Sequence, residues 1–331
     1  MKPVAIGIDI GGTNTKFGLS DEQGHILASS SMPTRKEDDF PSYIAHLHEG
    51  LTALLEGVDV AYELRGIGIG APNANFYQGT IEDAPNLIWD GILPIADEFA
   101  KYYDVPIFVT NDANAAAMGE LIYGGAKGMQ NFIMVTLGTG VGSGFIVNGE
   151  LVYGHDGFAG ELGHVTTVWG GRPCTCGRRG CLETYAAARG VVLTVMEELS
   201  GSHDDCPLRQ IPREDITPKA VFDAAEKGDH IAHRTFERTG EYLGKTLSNV
   251  VNIFSPEAIF LFGGVARAGH YILEPTEKYL NEHVLPIFKN KVKLIRSQLP
   301  ESDAAILGAS SLVWKEIGRA PAVGSEHQAT N

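Results

Sequence analysis

No apolar run in this chain approaches the ~20 residues that a membrane-spanning helix requires. The first residues, MetLysProValAlaIle, hold one early lysine and a short apolar run that Asp9 interrupts, so they do not read as a signal peptide. Positive charge is scarce: 26 Lys and Arg stand against 41 Asp and Glu, a net charge of −15. That field repels nucleic acid and anionic membrane surfaces, and neither is expected as a partner. A small polyanion held by Mg²⁺ and backbone N–H groups is still permitted. Nothing points to an oxidising compartment, and four cysteines fit a reducing cytoplasm.

What the chain does have is length, with 331 residues, and 40 glycines. That is ample for two domains with filled cores. Residues 4–10 are rich in β-formers and read as a buried strand, with strands returning at 15–19 and 24–33. Ile44, Leu47, Leu51, Leu54 and Leu55 recur at helical spacing within 40–57. Strands are expected at 66–71, 131–137 and 258–262, and helices at 93–103, 113–121, 183–199, 217–227, 229–254 and 304–317. Residues 200–214 read as a polar surface loop. Residues 7–18 and 134–145 both read strand, glycine turn, strand, with Asp9 against Thr136, which suggests two similar α/β units.

The densest chemistry lies in residues 161–183. Cys174, Cys176 and Cys181 follow His164 there, and glycines recur between them. Three thiols and one imidazole are the ligand set of a closed structural zinc site, which leaves no open position for catalysis. The alternatives are a disulfide or free thiols, and a Cys-x-Cys pair is too close for an easy disulfide. Glu161 and Glu183 bracket the cluster, so zinc would also orient those carboxylates. Cys206 is left over and is expected to be inert.

Three glycine-rich turns accompany it. Asp9 precedes Gly11, Gly12, Thr13, Asn14, Thr15 and Lys16. Glycines let backbone N–H groups approach an anion, Thr13 and Lys16 add a hydroxyl and a positive charge, and Asp9 suits Mg²⁺. A tight hairpin is the plainer reading. Gly138, Thr139, Gly140, Val141, Gly142, Ser143 and Gly144 repeat the device without the acid. They form neither a Walker A loop nor a dinucleotide fingerprint. Gly263 and Gly264 close a strand, and either a nucleotide base or close packing accounts for them. Asn111 and Asp112 end a strand and open a helix. Asp112 is either a helix cap or a base for an attacking hydroxyl, and Asn111 can both donate to and accept from a diol.

These motifs resemble the ROK family of bacterial sugar kinases and repressors, and within it the glucokinases. The resemblance rests on AspIleGlyGlyThrAsnThrLys, AsnAspAlaAsnAlaAla, LeuGlyThrGlyValGlySerGly, GlyGluLeuGlyHis and CysThrCysGlyArgArgGlyCysLeuGlu, in that order, from residue 9 to about 308. It implies a two-domain actin-like, ribonuclease-H-like ATPase fold with the active site in the cleft between the domains. Residues 1–115 with a C-terminal helix at about 303–318 would form the smaller domain. Residues 116–302 would form the larger, with the zinc site, and 319–331 a flexible tail.

The resemblance further implies ATP-dependent phosphorylation of a hexose 6-hydroxyl, most simply glucose, with Mg²⁺ and structural Zn²⁺. Zinc would sit on His164, Cys174, Cys176 and Cys181, and Asp112 would be the catalytic base. Gly70, Asn86, Asn111, Asp112, Glu161, His164 and Glu183 would contact the sugar, and His164 would give one ring nitrogen to each ligand. ATP phosphates would lie along 9–16 and 138–144. Open alternatives are N-acetylmannosamine, N-acetylglucosamine, mannose, fructose or allose as acceptor, polyphosphate as donor, or a non-catalytic sugar sensor. Family repressors carry a DNA-binding helix-turn-helix before this body. Here the body begins at residue 9, so no DNA-binding role is expected. A homodimer or higher homo-oligomer is expected by resemblance alone.

Overall fold

The computed structural model describes residues 1–36, 39–300 and 303–318. Two compact units divide the chain: Met1–Tyr123 with Ser302–Asn331, and Gly124–Glu301. The expected tail at 319–331 lies outside the described residues.

The first unit is built on a five-stranded sheet. Strands β1 (Lys2–Ile10), β2 (Asn14–Asp21), β3 (Ile26–Pro33), β4 (Tyr62–Ala71) and β5 (Ile107–Asn111) lie in the order β3-β2-β1-β4-β5. β1 is antiparallel to β2 and parallel to β4, which is parallel to β5. Helix α1 (Phe40–Glu56) covers one face with Phe40, Tyr43, Ile44, Leu47 and Leu51, an i, i+3, i+4, i+7 stripe that explains its burial. Asp39 caps it by accepting from Ser42 N–H at 2.8 Å. Helix α2 (Asp112–Ile122) follows β5 directly and runs unbroken across residue 115.

The C-terminal helix Ala304–Ile317 packs on the other face. It approaches closely because Gly18, Gly7 and Gly68 form one row across β2, β1 and β4. A Cβ at Gly7 or Gly68 would overlap the Ile306 or Ala309 carbonyl. These strand glycines therefore serve helix–sheet contact, a use of glycine separate from the turns. A small three-stranded sheet, Ala74–Asn75, Thr80–Glu82 and Ile92–Leu93, was not expected from the sequence.

The second unit repeats the sheet. Strands β6 (Phe132–Leu137), β7 (Val141–Val147), β8 (Glu150–Leu151), β9 (Ala258–Phe262) and β10 (Lys293–Arg296) lie in the order β8-β7-β6-β9-β10. The directions are the same as in the first sheet, two antiparallel pairings and then two parallel ones. The internal echo is thus a repeated topology. Helices α3 (Glu183–Ala186), α4 (Ala188–Gly201), α5 (His230–Phe254) and α6 (His270–His283) belong to this unit. The helix expected over 183–199 is interrupted at Ala187, which is extended (φ −73°, ψ 170°). The loop 200–214 carries two short 3₁₀ turns and buries Cys206 and Leu208, so it is not wholly a surface feature. No helix among the described residues is long and apolar enough to cross a membrane.

Candidate active site

In the first unit the three parallel strands β1, β4 and β5 end at the same edge, where α/β sheets commonly bind ligands. Asp9 lies in register with Lys16 on β2 and Gly70 on β4, and Gly70 with Thr110 on β5. The next position pairs Ala71 with Asn111. Gly70 stands beside Asp9 and Asp112: a Cβ there would lie 3.8 Å from Asp9 Oδ1 and 3.6 Å from the Asp112 Cα. Burial pushes the Asp9 carboxyl up to about 7; the Asp112 charge adds to this and Lys16 opposes it.

Asp112 is the first residue of α2 and keeps exposed surface. Even so, the protein packed around its carboxyl raises it above the usual carboxylate range. Hydrogen bonds from the Ala113 and Asp112 N–H groups pull the other way without prevailing. The helix cap is Asn111, whose Oδ1 accepts from Ala113 N–H at 2.9 Å; Asp112 Oδ1 shares that donor at 2.8 Å. This leaves the Asn111 amide NH₂ as the donor it can offer a ligand.

The turn 11–14 is held by residues the sequence reading passed over. Arg35 Nε donates to Gly12 O at 2.7 Å and its Nη2 to Asn86 O at 3.2 Å. Gly12 packs so closely on Asn86 that a Cβ would lie 2.6 Å from the Asn86 carbonyl oxygen. Asn86 is thereby brought to the turn, with its own residue exposed. Thr34 Oγ1 donates to Gly11 O at 2.7 Å. Thr15, expected to face phosphate, is buried and bonds Thr34 and Tyr43 through its hydroxyl at 2.9 and 2.6 Å. Strand alternation sends Thr15 inward and leaves Asn14 and Lys16 on the opposite face.

In the second unit the glycine turn is shorter than expected, because β7 begins at Val141. Gly142 and Gly144 are strand residues paired with Thr136 and Met134. Ser143 is buried; its hydroxyl donates to Gly160 O and accepts from Leu162 N–H at 3.4 Å. It anchors the segment carrying Glu161, which is exposed, and does not offer itself to phosphate. Gly138 and Gly264 have open space where a Cβ would stand, whereas Gly263 (φ +100°) packs on the Leu137 backbone. Close packing therefore accounts for Gly263, and open backbone remains at Gly264. A cavity of about 500 Å³ opens at the ends of β9 and β10, lined by Leu261, Phe262, Gly263, Ala266 and residues 296–300.

The cysteine knuckle brings four candidate ligands together. Ligand atoms of His164, Cys174, Cys176 and Cys181 all lie within 4.8 Å of one another. Cys176 and Cys181 sulfurs are 3.7 Å apart, and Cys174 Sγ is 3.7 Å from His164 Nδ1. All four cysteines are free thiols, so the disulfide alternative is not realised. Gly177 (φ +83°) and Gly180 (φ +80°) supply the left-handed turns of the knuckle. Glu183 links it to the glycine turn: Oε2 accepts from Val141 N–H at 3.1 Å, and Oε1 lies 3.8 Å from Cys174 Sγ. Cys206 is buried elsewhere, and burial pushes its thiol up to about 11, as an inert residue requires.

Residues 5–316 match the ROK family. The chain belongs to that family. Among its ROK relatives, the glucokinase of Halalkalibacterium halodurans is 34% identical over 94% of this chain and 95% of its own. The glucokinase of Thermotoga maritima is 34% identical over 95% of this chain and 98% of its own. The crystal structure of a Streptomyces griseus ROK glucokinase with glucose and AMPPNP superposes with a TM-score of 0.78 at 30% identity, covering 94% of this chain and 99% of that one. The fold is the two-domain actin-like ATPase fold of these ROK kinases. ROK also contains regulators. A homolog of the Escherichia coli MLC protein superposes with a TM-score of 0.85 at 25% identity, covering 95% of this chain and 78% of its own.

Proposed function

We propose that this ROK sugar kinase transfers the γ-phosphoryl group of ATP to the 6-hydroxyl of glucose, yielding glucose 6-phosphate and ADP. The observation that carries the proposal is Asp112, a carboxylate on the first turn of a helix, beside Gly70 at the strand ends, with its pKa raised by the protein packed around its carboxyl. A base poised nearer neutrality than an ordinary Asp suits proton abstraction from an alcohol. As the 6-oxygen bonds to phosphorus, its proton passes to an Asp112 carboxylate oxygen and the bond to the β-phosphate oxygen breaks. The transition state is loose, so holding the hydroxyl in line matters as much as basicity.

Asn111 and Asn86 would hold sugar hydroxyls, with Gly70 leaving room beside Asp9. Glu161, His164 and Glu183 would contribute the remaining sugar contacts. Backbone N–H groups of 11–14 and of the 138–140 turn would bind phosphate oxygens, with Lys16 nearby. Mg²⁺ held beside Asp9 would neutralise charge on the transferring phosphoryl group. The cavity lined by Gly263 and Ala266 has room for a nucleoside, which favours ATP over a donor without a base.

His164, Cys174, Cys176 and Cys181 fit zinc. A tetrahedron with Zn–S bonds of about 2.3 Å has sulfur–sulfur edges near 3.8 Å, close to the observed spacing. Zn²⁺ would cross-link the two arms of the knuckle and use His164 Nδ1, which leaves Nε2 for the sugar. Incubation with Mg-ATP and glucose, read by phosphorus NMR, should give glucose 6-phosphate; ATP hydrolysis without a sugar ester would contradict the proposal. The second reading is a sugar-responsive regulator, favoured by the likeness to the MLC homolog. Sugar binding without turnover would select it.

A further inference from the structure

Arg172 belongs to none of the motifs above, yet its guanidinium is the most fully committed polar group beside the knuckle. Its Nε donates to Glu197 Oε1 at 3.0 Å. Nη1 donates to Thr184 O at 2.7 Å and to Gly190 O at 3.1 Å. Nη2 donates to Thr194 Oγ1 at 3.0 Å and pairs with Glu197 Oε1 at 2.8 Å. The five N–H donors of a guanidinium thus all meet acceptors, with the side chain only 10% exposed. The plane also lies over the Tyr185 ring, 4.5 Å from its centroid, and Arg172 N–H donates to the Tyr185 hydroxyl at 2.9 Å.

These partners flank Glu183. Thr184 and Tyr185 follow it on α3, and Gly190, Thr194 and Glu197 lie on α4. Ala187 breaks the two helices apart, so α3 is a single turn with little internal stiffness. Arg172, two residues before Cys174, clamps that turn onto both the knuckle and α4. The close approach needs Gly171, where a Cβ would overlap the Tyr185 hydroxyl.

We infer that Arg172 is a positioning residue that fixes the direction of the Glu183 carboxylate and thereby sets sugar affinity, an inference that rests on the proposed role of Glu183 at the sugar. A lysine cannot reproduce it. An ammonium is a point donor without the planar fork that holds two carbonyls, a hydroxyl and a carboxylate together. Because Glu183 would grip the sugar in ground and transition states alike, loosening it weakens binding and leaves kcat little changed.

The test is the glucose Kd by calorimetry, with steady-state KM and kcat and zinc content measured on the same zinc-loaded samples. Arg172→Lys should raise Kd and KM about tenfold, as misaligning one charged hydrogen bond does. Its kcat should stay within about twofold and its zinc content unchanged. In a Glu183→Gln background the same substitution should add almost nothing, because both changes act on one contact. Glu197→Gln, which keeps an oxygen acceptor but removes the charge that Nε and Nη2 share at an exposed residue, should shift Kd in the same direction by less. An unchanged Kd, loss of zinc, or full additivity with Glu183→Gln would overturn the inference. If Arg172→Lys does not fold, Glu197→Gln alone decides by whether Kd moves. Wild-type protein that binds glucose without turnover would refute the kinase reading and leave Kd to judge Arg172. No binding of any hexose would refute both.

Discussion

Replacing Asp112 by Asn removes the proposed base with almost no change in shape. The amide oxygen can still accept from Ala113 N–H, as Asp112 Oδ1 does at 2.8 Å, and Asn111 keeps its own bond to that donor. The start of α2 should therefore survive. The charge should not be missed by the fold, because the protein packed around the carboxyl disfavours it there. Removing it should also let the Asp9 pKa fall from about 7, since one of the causes holding it up is the Asp112 charge. General-base catalysis contributes roughly 10²–10⁴-fold, so kcat for ADP release with saturating glucose should drop by that factor. The glucose Kd should change by less than about threefold, because the amide still bonds a hydroxyl. The assay is coupled ADP release beside calorimetric sugar binding, with a melting curve as the control. A variant that binds sugar, melts normally and retains kcat within about tenfold would refute the base assignment.

Cys176→Ser should lose zinc by elemental analysis and weaken glucose binding through Glu183 and His164; a zinc-free variant with normal KM would show that the knuckle does not orient them. The acidic limb of kcat/KM should fall above the ordinary Asp value of about 3.9, because the free-enzyme base must be ionised and its pKa is raised; a profile flat down to pH 4 would contradict this. Gly68→Ala should lower stability in urea by about 1–3 kcal/mol or more, since its Cβ would overlap the Ala309 carbonyl and drive the C-terminal helix off the sheet; unchanged stability would mean the helix yields freely.

The local parts of the site were legible in the sequence because their chemistry is written in short spacings. Three thiols and one imidazole in residues 164–181 specify a knuckle, and the stripe Ile44, Leu47, Leu51 specifies α1. Orientation within the glycine turns was not legible. Read as one run, residues 13–16 all look available, but the first strand pair buries Thr15 against Tyr43. Ser143 is turned inward in the same way by β7. Long-range clamps were also missed. Arg35 reaches Asn86 across 51 positions, and the Arg172 partners lie 12 to 25 residues away, separations at which a single sequence carries no pairing signal. The purpose of the glycines inside β1, β2 and β4 was not legible either, because what demands them, the C-terminal helix, arrives nearly 300 residues after Gly7.

The central claim, hexose phosphorylation that depends on Asp112, is tested most directly by measuring ADP release from Mg-ATP against a panel of hexoses and N-acetylhexosamines, with Asp112→Asn alongside. The account predicts turnover greatest on glucose and lost in the variant. Absence of ADP release with every sugar, in protein that carries zinc and binds glucose, would contradict it.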